Sequence, residues 1–193
     1  MRGAFLERID WDKRYREGFY SGPLTPHELV RRFWSLAPSG YPVIDIAMGT
    51  GRDLFLFAEK GFFCCGLERS REAVETARKG ASERGLDIAP VFGDAHHLPF
   101  KKGSAGCILV FYFLVREIMT ELVSLLRPGG ILMYETHLKA QNLFDRPRNP
   151  DFLLDDAELI GYFTGLDLLF YEEGTFLSEG KKRAVARYVG RKS

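Results

Sequence analysis

From residue 41 onward, short apolar segments alternate with segments of helical periodicity. The apolar segments read PVIDIAM, FFCCGLE, IAPVFGD, AGCILVFYF and ILMYETH. Strands that alternate with helices at this spacing predict βαβ units, in which helices cover both faces of a parallel sheet. Continuous apolar strands agree with this prediction, because the strands of such a sheet are buried on both sides. An α/β fold is therefore expected.

The two ends of the chain extend this prediction. The first forty residues predict a helical segment, with Thr25 as the N-cap and Pro26 at the first helical position. After a polar loop at 139–151 come a helix, DDAELIGYF, and two strands, LDLLFYEEG and RAVARYVGR, that are close enough to pair as a hairpin. We therefore expect an open sheet of about seven strands, mostly parallel with an antiparallel C-terminal strand, and helices on both faces.

Composition argues against several classes of protein. The 27 Lys and Arg residues balance 26 Asp and Glu residues, so the net charge provides no broad attraction to nucleic acid or to an anionic membrane. The longest apolar run, at 107–115, is about half the length of a membrane-spanning helix. Cys64, Cys65 and Cys107 lie in apolar segments, which predicts buried thiols and no metal site. A cytoplasmic protein of one domain is expected.

A glycine-containing turn follows the first predicted strand, in VIDIAMGTGRDLF at 43–55. Gly49 and Gly51 supply two positions of the dinucleotide fingerprint G-x-G-x-x-G, but Leu54 occupies the third. Asp45, four residues before Gly49, would repel a pyrophosphate and would suit a cationic amino group, such as that of S-adenosylmethionine. The turn therefore favours S-adenosylmethionine over NAD, with an NAD-dependent oxidoreductase as an alternative.

Two further acidic residues follow later predicted strands. Glu68 lies 17 residues after Gly51 and could accept hydrogen bonds from both ribose hydroxyls. This position does not separate the two ligands, because NAD sites use a similar acidic residue. Asp94 could accept a hydrogen bond from an adenine amino group, and the backbone amide of Ala95 could donate one to the adenine ring.

Four motifs occur in order between Pro42 and His137: D-x-x-x-G-x-G, G-L-E-R-S, G-D-A-x-x-L-P-F and R-P-G-G-I-L. Their order and spacing resemble the class I S-adenosylmethionine-dependent methyltransferases. The opening WDKRYREGFYSG and the segment beginning NPDFLLDDAELIGYF further resemble the small tellurite-resistance type of this class. The resemblance implies one Rossmann-like methyltransferase domain over 1–193, with a helical cap at 1–40, a cofactor-binding core at 41–137, and a loop, helix and hairpin at 138–193.

The resemblance also implies roles for individual residues. Those that it assigns to the cofactor are Tyr15, Asp45, Ala47, Gly49, Thr50, Gly51, Glu68, Arg69, Asp94, Ala95 and Phe111. The methionine moiety would lie against Asp45 and the turn, the sulfonium near Phe111, and the N-terminal segment with Tyr15 over the cofactor. Two residues depart from the family pattern, since Gly106 stands where an Asp is expected and Met48 where a small residue or Cys is frequent.

Two residues are candidates for catalysis. His137 ends the fifth predicted strand and could act as a general base. Tyr112 follows the fourth strand and could contact the acceptor, as could Arg146 and Arg148 in the polar loop. A soft acceptor that is already ionised would need no base.

The class of acceptor is narrowed by what the chain lacks. The fourth predicted strand carries no Asp-Pro-Pro-Tyr or Asn-Pro-Pro-Tyr motif, which would indicate methylation of an amino nitrogen on nucleic acid or protein. Little of the chain lies outside the core pattern, which favours a small molecule, and the resemblance suggests a thiol or a metalloid oxyanion. We expect no nucleic-acid or membrane partner and either a monomer or a homodimer. A catalytically silent S-adenosylmethionine-binding module is an alternative.

Overall fold

The chain is built on a single mixed β-sheet. The computed structural model describes residues 9–20, 22, 24–145, 149–178 and 180–193, and seven strands within these ranges pair in the order β3-β2-β1-β4-β5-β7-β6. The strands are β1 (Val43–Ile46), β2 (Cys64–Glu68), β3 (Ala89–Phe92), β4 (Ala105–Phe111), β5 (Leu126–His137), β6 (Asp167–Ser178) and β7 (Lys181–Arg191). β1 to β5 pair in parallel, whereas β7 is antiparallel to both of its neighbours. This confirms the predicted α/β fold and its C-terminal hairpin.

Helices pack on both faces of the sheet. Those of the described chain are α1 (Trp11–Arg16), α2 (Glu28–Phe33), α3 (Arg52–Glu59), α4 (Arg71–Glu83), α5 (Met119–Leu125) and α6 (Glu158–Tyr162). Alternate residues of β4 enter two separate cores, since Ile108 packs in the cluster with Leu122 of α5, and Cys107 in the cluster with Val74 of α4. None of these helices has the length and apolar character needed to span a membrane.

The strand order changes direction between β1 and β4. β2 and β3 lie on one side of β1, whereas β4 and β5 lie on the other. The loops that leave the carboxyl ends of β1 and β4 therefore diverge, and ligands of open α/β sheets bind in the crevice between such loops. Both loops begin with a non-glycine residue in the left-handed region, Ala47 at φ 59° and Tyr112 at φ 53°. Strained backbone of this kind clusters at functional sites, which directs attention to this crevice.

Helices α4 and α2 begin in different ways. Ser70 caps α4, because its Oγ accepts a hydrogen bond from the backbone of the first turn at 3.2 Å. The prediction that Thr25 caps the second helix is wrong, since His27 occupies the N-cap position and its side chain does not cap the helix. Asp53 of α3 supplies the missing acceptor, because its Oδ1 accepts a hydrogen bond from His27 N at 2.7 Å. A tertiary contact therefore overrides the local capping signal.

The segment REIMTELVSLLRPGG at 116–130 forms a short helix and the start of a strand. A 3₁₀ turn leads into α5, which ends at Leu125. The RPGG residues that follow belong to β5, where Gly129 N donates to Lys192 O at 2.7 Å and Lys192 N donates to Gly130 O at 2.9 Å. Gly129 permits this turn into the sheet because its φ is 79°. Pairing with the C-terminus therefore draws these residues into the strand.

Both departures from the family pattern have steric explanations. A Cβ atom on Gly106 would lie 2.7 Å from Tyr41 Cβ and 3.3 Å from Pro38 O, so an Asp does not fit at this position. The side chain of Met48 fills the space above Gly66 of β2, where a Cβ would collide with its sulfur. Each unusual residue is therefore matched by a neighbour in space.

We expect the Gly106→Ala substitution to lower the free energy of unfolding by about 1–3 kcal/mol, because the added methyl group meets backbone and Cβ atoms that cannot rotate away. Urea unfolding followed by circular dichroism measures the change. Gly161→Ala is the matched control, since a Cβ at Gly161 of α6 has no neighbour within 4 Å. It should leave stability unchanged or raise it by up to about 1 kcal/mol. Equal losses in both variants would contradict the steric explanation.

Candidate cofactor and acceptor site

The turn after β1 exposes its backbone at the crevice. Gly49 has φ 57° and Gly51 has φ 82°, and Gly51 is also the N-cap residue of α3. A hydrogen bond from Gly51 N to Met48 O at 3.1 Å closes the turn. Because the two glycines carry no Cβ, the chain can turn tightly and a ligand can approach the backbone of this segment, which includes Thr50.

Asp45 is a buried carboxylate at the crevice end of β1. It is 2% exposed, and burial raises its pKa well above the ordinary value of 3.8, an effect that the nearby carboxylates of Asp53 and Glu68 reinforce. No cation among the described residues offsets these effects. A positively charged ligand group would do so, and the amino group of the methionine moiety of S-adenosylmethionine fits this environment.

Glu68 joins the end of β2 to the glycine turn. Its Oε2 accepts a hydrogen bond from Gly49 N at 3.0 Å, and its Oε1 accepts one from Ser70 N at 2.8 Å. Burial raises the pKa of Glu68, and the two backbone donors oppose that rise. Each carboxylate oxygen accepts more than one hydrogen bond, so both oxygens retain the capacity to accept from ribose hydroxyls.

Helix α1 covers this part of the crevice. Asp12 Oδ1 accepts hydrogen bonds from Ser70 Oγ at 2.6 Å and from Glu72 N at 3.3 Å. These contacts attach α1 to the start of α4, and they place the hydroxyl of Tyr15 3.0 Å from the position that a Cβ of Gly49 would occupy. Burial, followed by the charge of Glu68, raises the pKa of Tyr15. The N-terminal segment therefore packs over the glycine turn.

Two of the residues predicted to bind adenine, Asp94 and Ala95, lie in the loop after β3. Asp94 is partly exposed, and its Oδ1 accepts hydrogen bonds from His96 N at 3.0 Å and from the His96 ring at 2.7 Å. These contacts with His96 lower the pKa of Asp94. Ala95 is buried beside it, and Arg69 is exposed at the end of β2. The loop is thus ordered, with the Asp94 carboxylate ionised at neutral pH.

A buried charge network lies below the ends of β4 and β5. Tyr112 OH donates to Glu135 Oε1 at 2.6 Å, and Arg187 Nε donates to Glu135 Oε2 at 2.9 Å. Arg187 also contacts Glu172 at 2.8 Å and Glu28 at 3.3 Å. Burial, followed by the charge of Glu135, raises the pKa of Tyr112. The network keeps Tyr112 protonated and fixes its orientation.

His27 lies beside Phe111 and Tyr112, although no sequence motif predicts it. Its ring stacks on Phe111 with centroids 4.2 Å apart and an interplanar angle of 7°. Its Nδ1 lies 2.6 Å from Asp53 Oδ2. Phe111 ends β4, and the family resemblance predicts that the sulfonium lies near it, so this histidine is a further candidate for contact with the acceptor. His27 and Asp53 are 26 residues apart in the sequence, so no local sequence pattern indicates that they pair.

A cavity of about 150 Å³ opens beside His27 and Tyr112. Its walls include residues 25–28, Arg52, Glu135 and Arg187. A larger and more open depression of about 420 Å³ lies at residues 143–145 and 181–182, but none of the predicted site residues that the structure describes lines it. The smaller cavity is therefore the candidate acceptor site, and we call it the acceptor cavity.

His137 does not line the acceptor cavity. Its ring lies 4.8 Å from that of Tyr112, and its Nδ1 is buried without a hydrogen-bond partner among the described residues. Burial, followed by the charge of Arg183, lowers its pKa to about 4. Such an imidazole is neutral and weakly basic at neutral pH, so its predicted role as a base gains no support from its environment. Arg146 and Arg148 lie outside the described residues.

Part of the chain, which includes most of this site, matches a known protein family. Residues 43–130 match the family model described as a methyltransferase domain, and this range contains the glycine turn, Glu68, Asp94 and Phe111. This part of the chain is therefore similar to a methyltransferase domain, the fold is that of the class I S-adenosylmethionine-dependent methyltransferases, and S-adenosylmethionine is the cofactor that this class implies. No curated protein sequence matches the chain.

Solved structures share this fold at low sequence identity. TehB from Haemophilus influenzae is 18% identical with a TM-score of 0.73, over 94% of this chain and 67% of TehB. A SAM-dependent methyltransferase from Methanosarcina mazei is 15% identical with a TM-score of 0.69, over 87% and 98% of the two chains. One from Aquifex aeolicus is 15% identical with a TM-score of 0.68, over 94% and 99%.

We expect Asp45→Asn to weaken S-adenosylmethionine binding at least tenfold and to raise the free energy of unfolding of the ligand-free protein at pH 8 by about 1 kcal/mol. The sign follows from the raised pKa: the folded state holds this proton more tightly, so wild-type stability falls as pH rises from 3.8. Calorimetry and urea unfolding at pH 5 and pH 8 measure both effects. The control is Asp87→Asn, because Asp87 is exposed. A gain in the stability of Asp45→Asn that does not grow with pH would contradict this account.

We expect Asp12→Ala to increase the dissociation rate of S-adenosylmethionine roughly tenfold, because hydrogen bonds to a charged group contribute about 1.5–3 kcal/mol and these attach α1 over the turn. Stopped-flow fluorescence of Trp11 measures the rate. Glu83→Ala, at the opposite end of α4, is the control and should not change it. An unchanged dissociation rate in Asp12→Ala would show that α1 does not retain the cofactor.

Proposed function

We propose that this protein transfers a methyl group from S-adenosylmethionine to a small-molecule acceptor bound in the acceptor cavity. The observation that carries the proposal is the buried Asp45 carboxylate, which lies beside the glycine turn with no compensating cation among the described residues. A pyrophosphate at this place would face three carboxylates, those of Asp45, Asp53 and Glu68, whereas the methionine moiety brings a positive charge. The alternative of an NAD-dependent oxidoreductase is therefore disfavoured.

The proposal gives each part of the crevice one task. Asp45 and the backbone at 47–51 hold the methionine moiety, Glu68 accepts from the ribose hydroxyls, and Asp94 with Ala95 and Arg69 contacts the adenine. Phe111 lies beside the sulfonium, and Tyr15 closes the site from above. The hydrogen bond that Glu68 accepts from Gly49 N supports this arrangement, because it links the proposed ribose-binding carboxylate to the glycine turn.

The chain contributes mainly position and exclusion of water. The sulfonium of the cofactor supplies an activated methyl group with a good leaving group. The stacked rings of His27 and Phe111, together with the Tyr112–Glu135 hydrogen bond, limit the directions from which an acceptor can approach that methyl group. Holding two reactants in an attack geometry contributes about 7–11 kcal/mol in favourable cases. Closure of α1 over the turn adds to this by removing water.

The acceptor is proposed to be small because the acceptor cavity holds only about 150 Å³. Three arginines and two glutamates line it, which suits a polar or anionic molecule more than an apolar one. A thiol or a metalloid oxyanion meets both conditions. We propose that the chain works as one cytoplasmic domain, as a monomer or homodimer, without nucleic acid or membrane.

A catalytically silent binding module is the second candidate. The same fold and the same binding residues would serve it, because fold alone does not define a reaction. The acceptor cavity is lined by His27, whose ring stacks on Phe111. This cavity favours the enzyme, since a module that only binds the cofactor has no need of one.

Calorimetric titration with S-adenosylmethionine, S-adenosylhomocysteine and NAD tests the proposal. We expect micromolar binding of the first two ligands and none of NAD. Glu68→Gln should weaken the binding of S-adenosylmethionine and of S-adenosylhomocysteine by about tenfold, since the amide loses the charge-assisted hydrogen bonds to ribose and to the turn. Glu75→Gln, on the exposed face of α4, is the matched control. Binding of NAD alone would overturn the assignment, and equal affinity of Glu68→Gln and wild type would remove Glu68 from the site.

A further inference from the structure

His27 and Asp53 form a buried pair beside the acceptor cavity. Asp53 Oδ2 lies 2.6 Å from His27 Nδ1, and Asp53 Oδ1 accepts from His27 N at 2.7 Å. The two side chains are 13% and 3% exposed, respectively. Both oxygens of one carboxylate therefore hold the same residue, and the imidazole cannot rotate without breaking a short hydrogen bond.

This contact decides which ring nitrogen carries the proton. An ionised carboxylate accepts hydrogen bonds and donates none. Nδ1 of His27 must therefore donate to Asp53, which leaves the lone pair of Nε2 available in the neutral ring. None of the described residues forms a hydrogen bond with Nε2. The pair thus presents a bare basic nitrogen in an orientation that Asp53 maintains.

The position of the ring relates this nitrogen to the reaction. His27 lines the acceptor cavity, stacks on Phe111 at 4.2 Å, and lies 5.3 Å from the ring of Tyr112. Phe111 marks the end of β4 at the change of strand direction, where we propose that the sulfonium lies. His27 is therefore at the boundary between the cofactor and the acceptor.

The other histidines of the chain do not share these properties. His96 also contacts a carboxylate, but both contacts are to Oδ1 of Asp94, and the two side chains are 54% and 45% exposed. His97 is exposed, and His137 does not line the acceptor cavity. Of the four histidines in the sequence, only His27 combines a carboxylate partner, burial and a place in the cavity.

We propose that His27 Nε2 accepts the proton of the acceptor during methyl transfer and that Asp53 is its positioning residue. This inference rests on the proposed function. The acceptor atom forms a bond to the methyl carbon, the carbon–sulfur bond breaks with its electron pair left on sulfur, and the acceptor's proton passes to Nε2. The resulting imidazolium is stabilised by Asp53 and later releases the proton to water. The acceptor is therefore a hydroxyl or thiol compound rather than an oxyanion that is already ionised.

Asp53→Asn separates this role from simple capping of α2. The Asn Oδ1 can still accept from His27 N, so the start of the helix is retained. Its amide nitrogen, however, donates to Nδ1 and forces the proton onto Nε2, which is then no longer a base. A purely structural Asp53 predicts no effect on the reaction from this change.

Nitrogen-15 NMR of the ligand-free protein reads the tautomer directly. Four histidines give four ring spin systems, which single substitutions assign. We expect His27 to carry its proton on Nδ1 in the wild type and on Nε2 in Asp53→Asn. A wild-type ring with its proton on Nε2 would overturn the proposal whatever the enzyme methylates.

Turnover with defined probes completes the test, with 2-mercaptoethanol, catechol and sodium tellurite offered separately. We expect wild type to methylate a thiol or hydroxyl probe, and His27→Asn and Asp53→Asn to lower kcat by about 10²–10⁴-fold. His27→Asn should keep the wild-type affinity for S-adenosylmethionine, whereas Asp53→Asn also removes a charge that acts on Asp45, so kcat of both variants is measured at saturating cofactor. His97→Asn is the control and should keep full activity.

The remaining outcomes separate this inference from the proposed function. Failure of the wild type to bind S-adenosylmethionine would overturn the proposed function itself. Normal binding with unchanged kcat in both variants would overturn only the role of His27. Turnover of tellurite alone, or of no probe, would show that the acceptor class named here is wrong.

Discussion

The change of strand direction between β1 and β4 is the constraint on which the rest of the site depends. Only there do the loops from adjacent parallel strands diverge and leave a crevice at the carboxyl edge of the sheet. Ala47 and Tyr112, both in the left-handed region, begin those two loops. The backbone therefore departs abruptly from both strands, and the space thus opened receives the glycine turn on one side and the acceptor cavity on the other.

The charge of the crevice follows from the same geometry. Asp45, Asp53 and Glu68 come from β1, α3 and β2. Burial raises the pKa of Asp45, and the charges of Asp53 and Glu68 raise it further. A site with this composition destabilises the ligand-free fold, because like charges are held together out of water. It also discriminates between ligands, since a cation relieves the repulsion and an anion increases it. Stability and ligand selectivity therefore oppose each other at one residue.

The sequence reveals the site wherever function depends on local motifs. The turn with Gly49 and Gly51, the strand ends at Glu68 and Asp94, and the cap at Ser70 are all encoded within a few residues, and the order of strands and helices follows from periodicity. Contacts between distant segments decide the outcome at other positions. Thr25 loses its capping role to Asp53, and the RPGG glycines enter β5 because they pair with Lys192. His27 escapes notice for the same reason, since its partner is distant in sequence.

Asp53 links the two halves of the site through α3. The helix starts at Gly51 of the glycine turn, and Asp53 in its first turn both raises the pKa of Asp45 and holds His27. Any shift of α3 must therefore move the cofactor side and the acceptor side together. A positive charge on His27 would also compensate Asp53 and weaken its repulsion of Asp45. Proton transfer to His27 therefore weakens the attraction of the site for a cationic ligand at Asp45. This favours release of that ligand once His27 has taken up the proton.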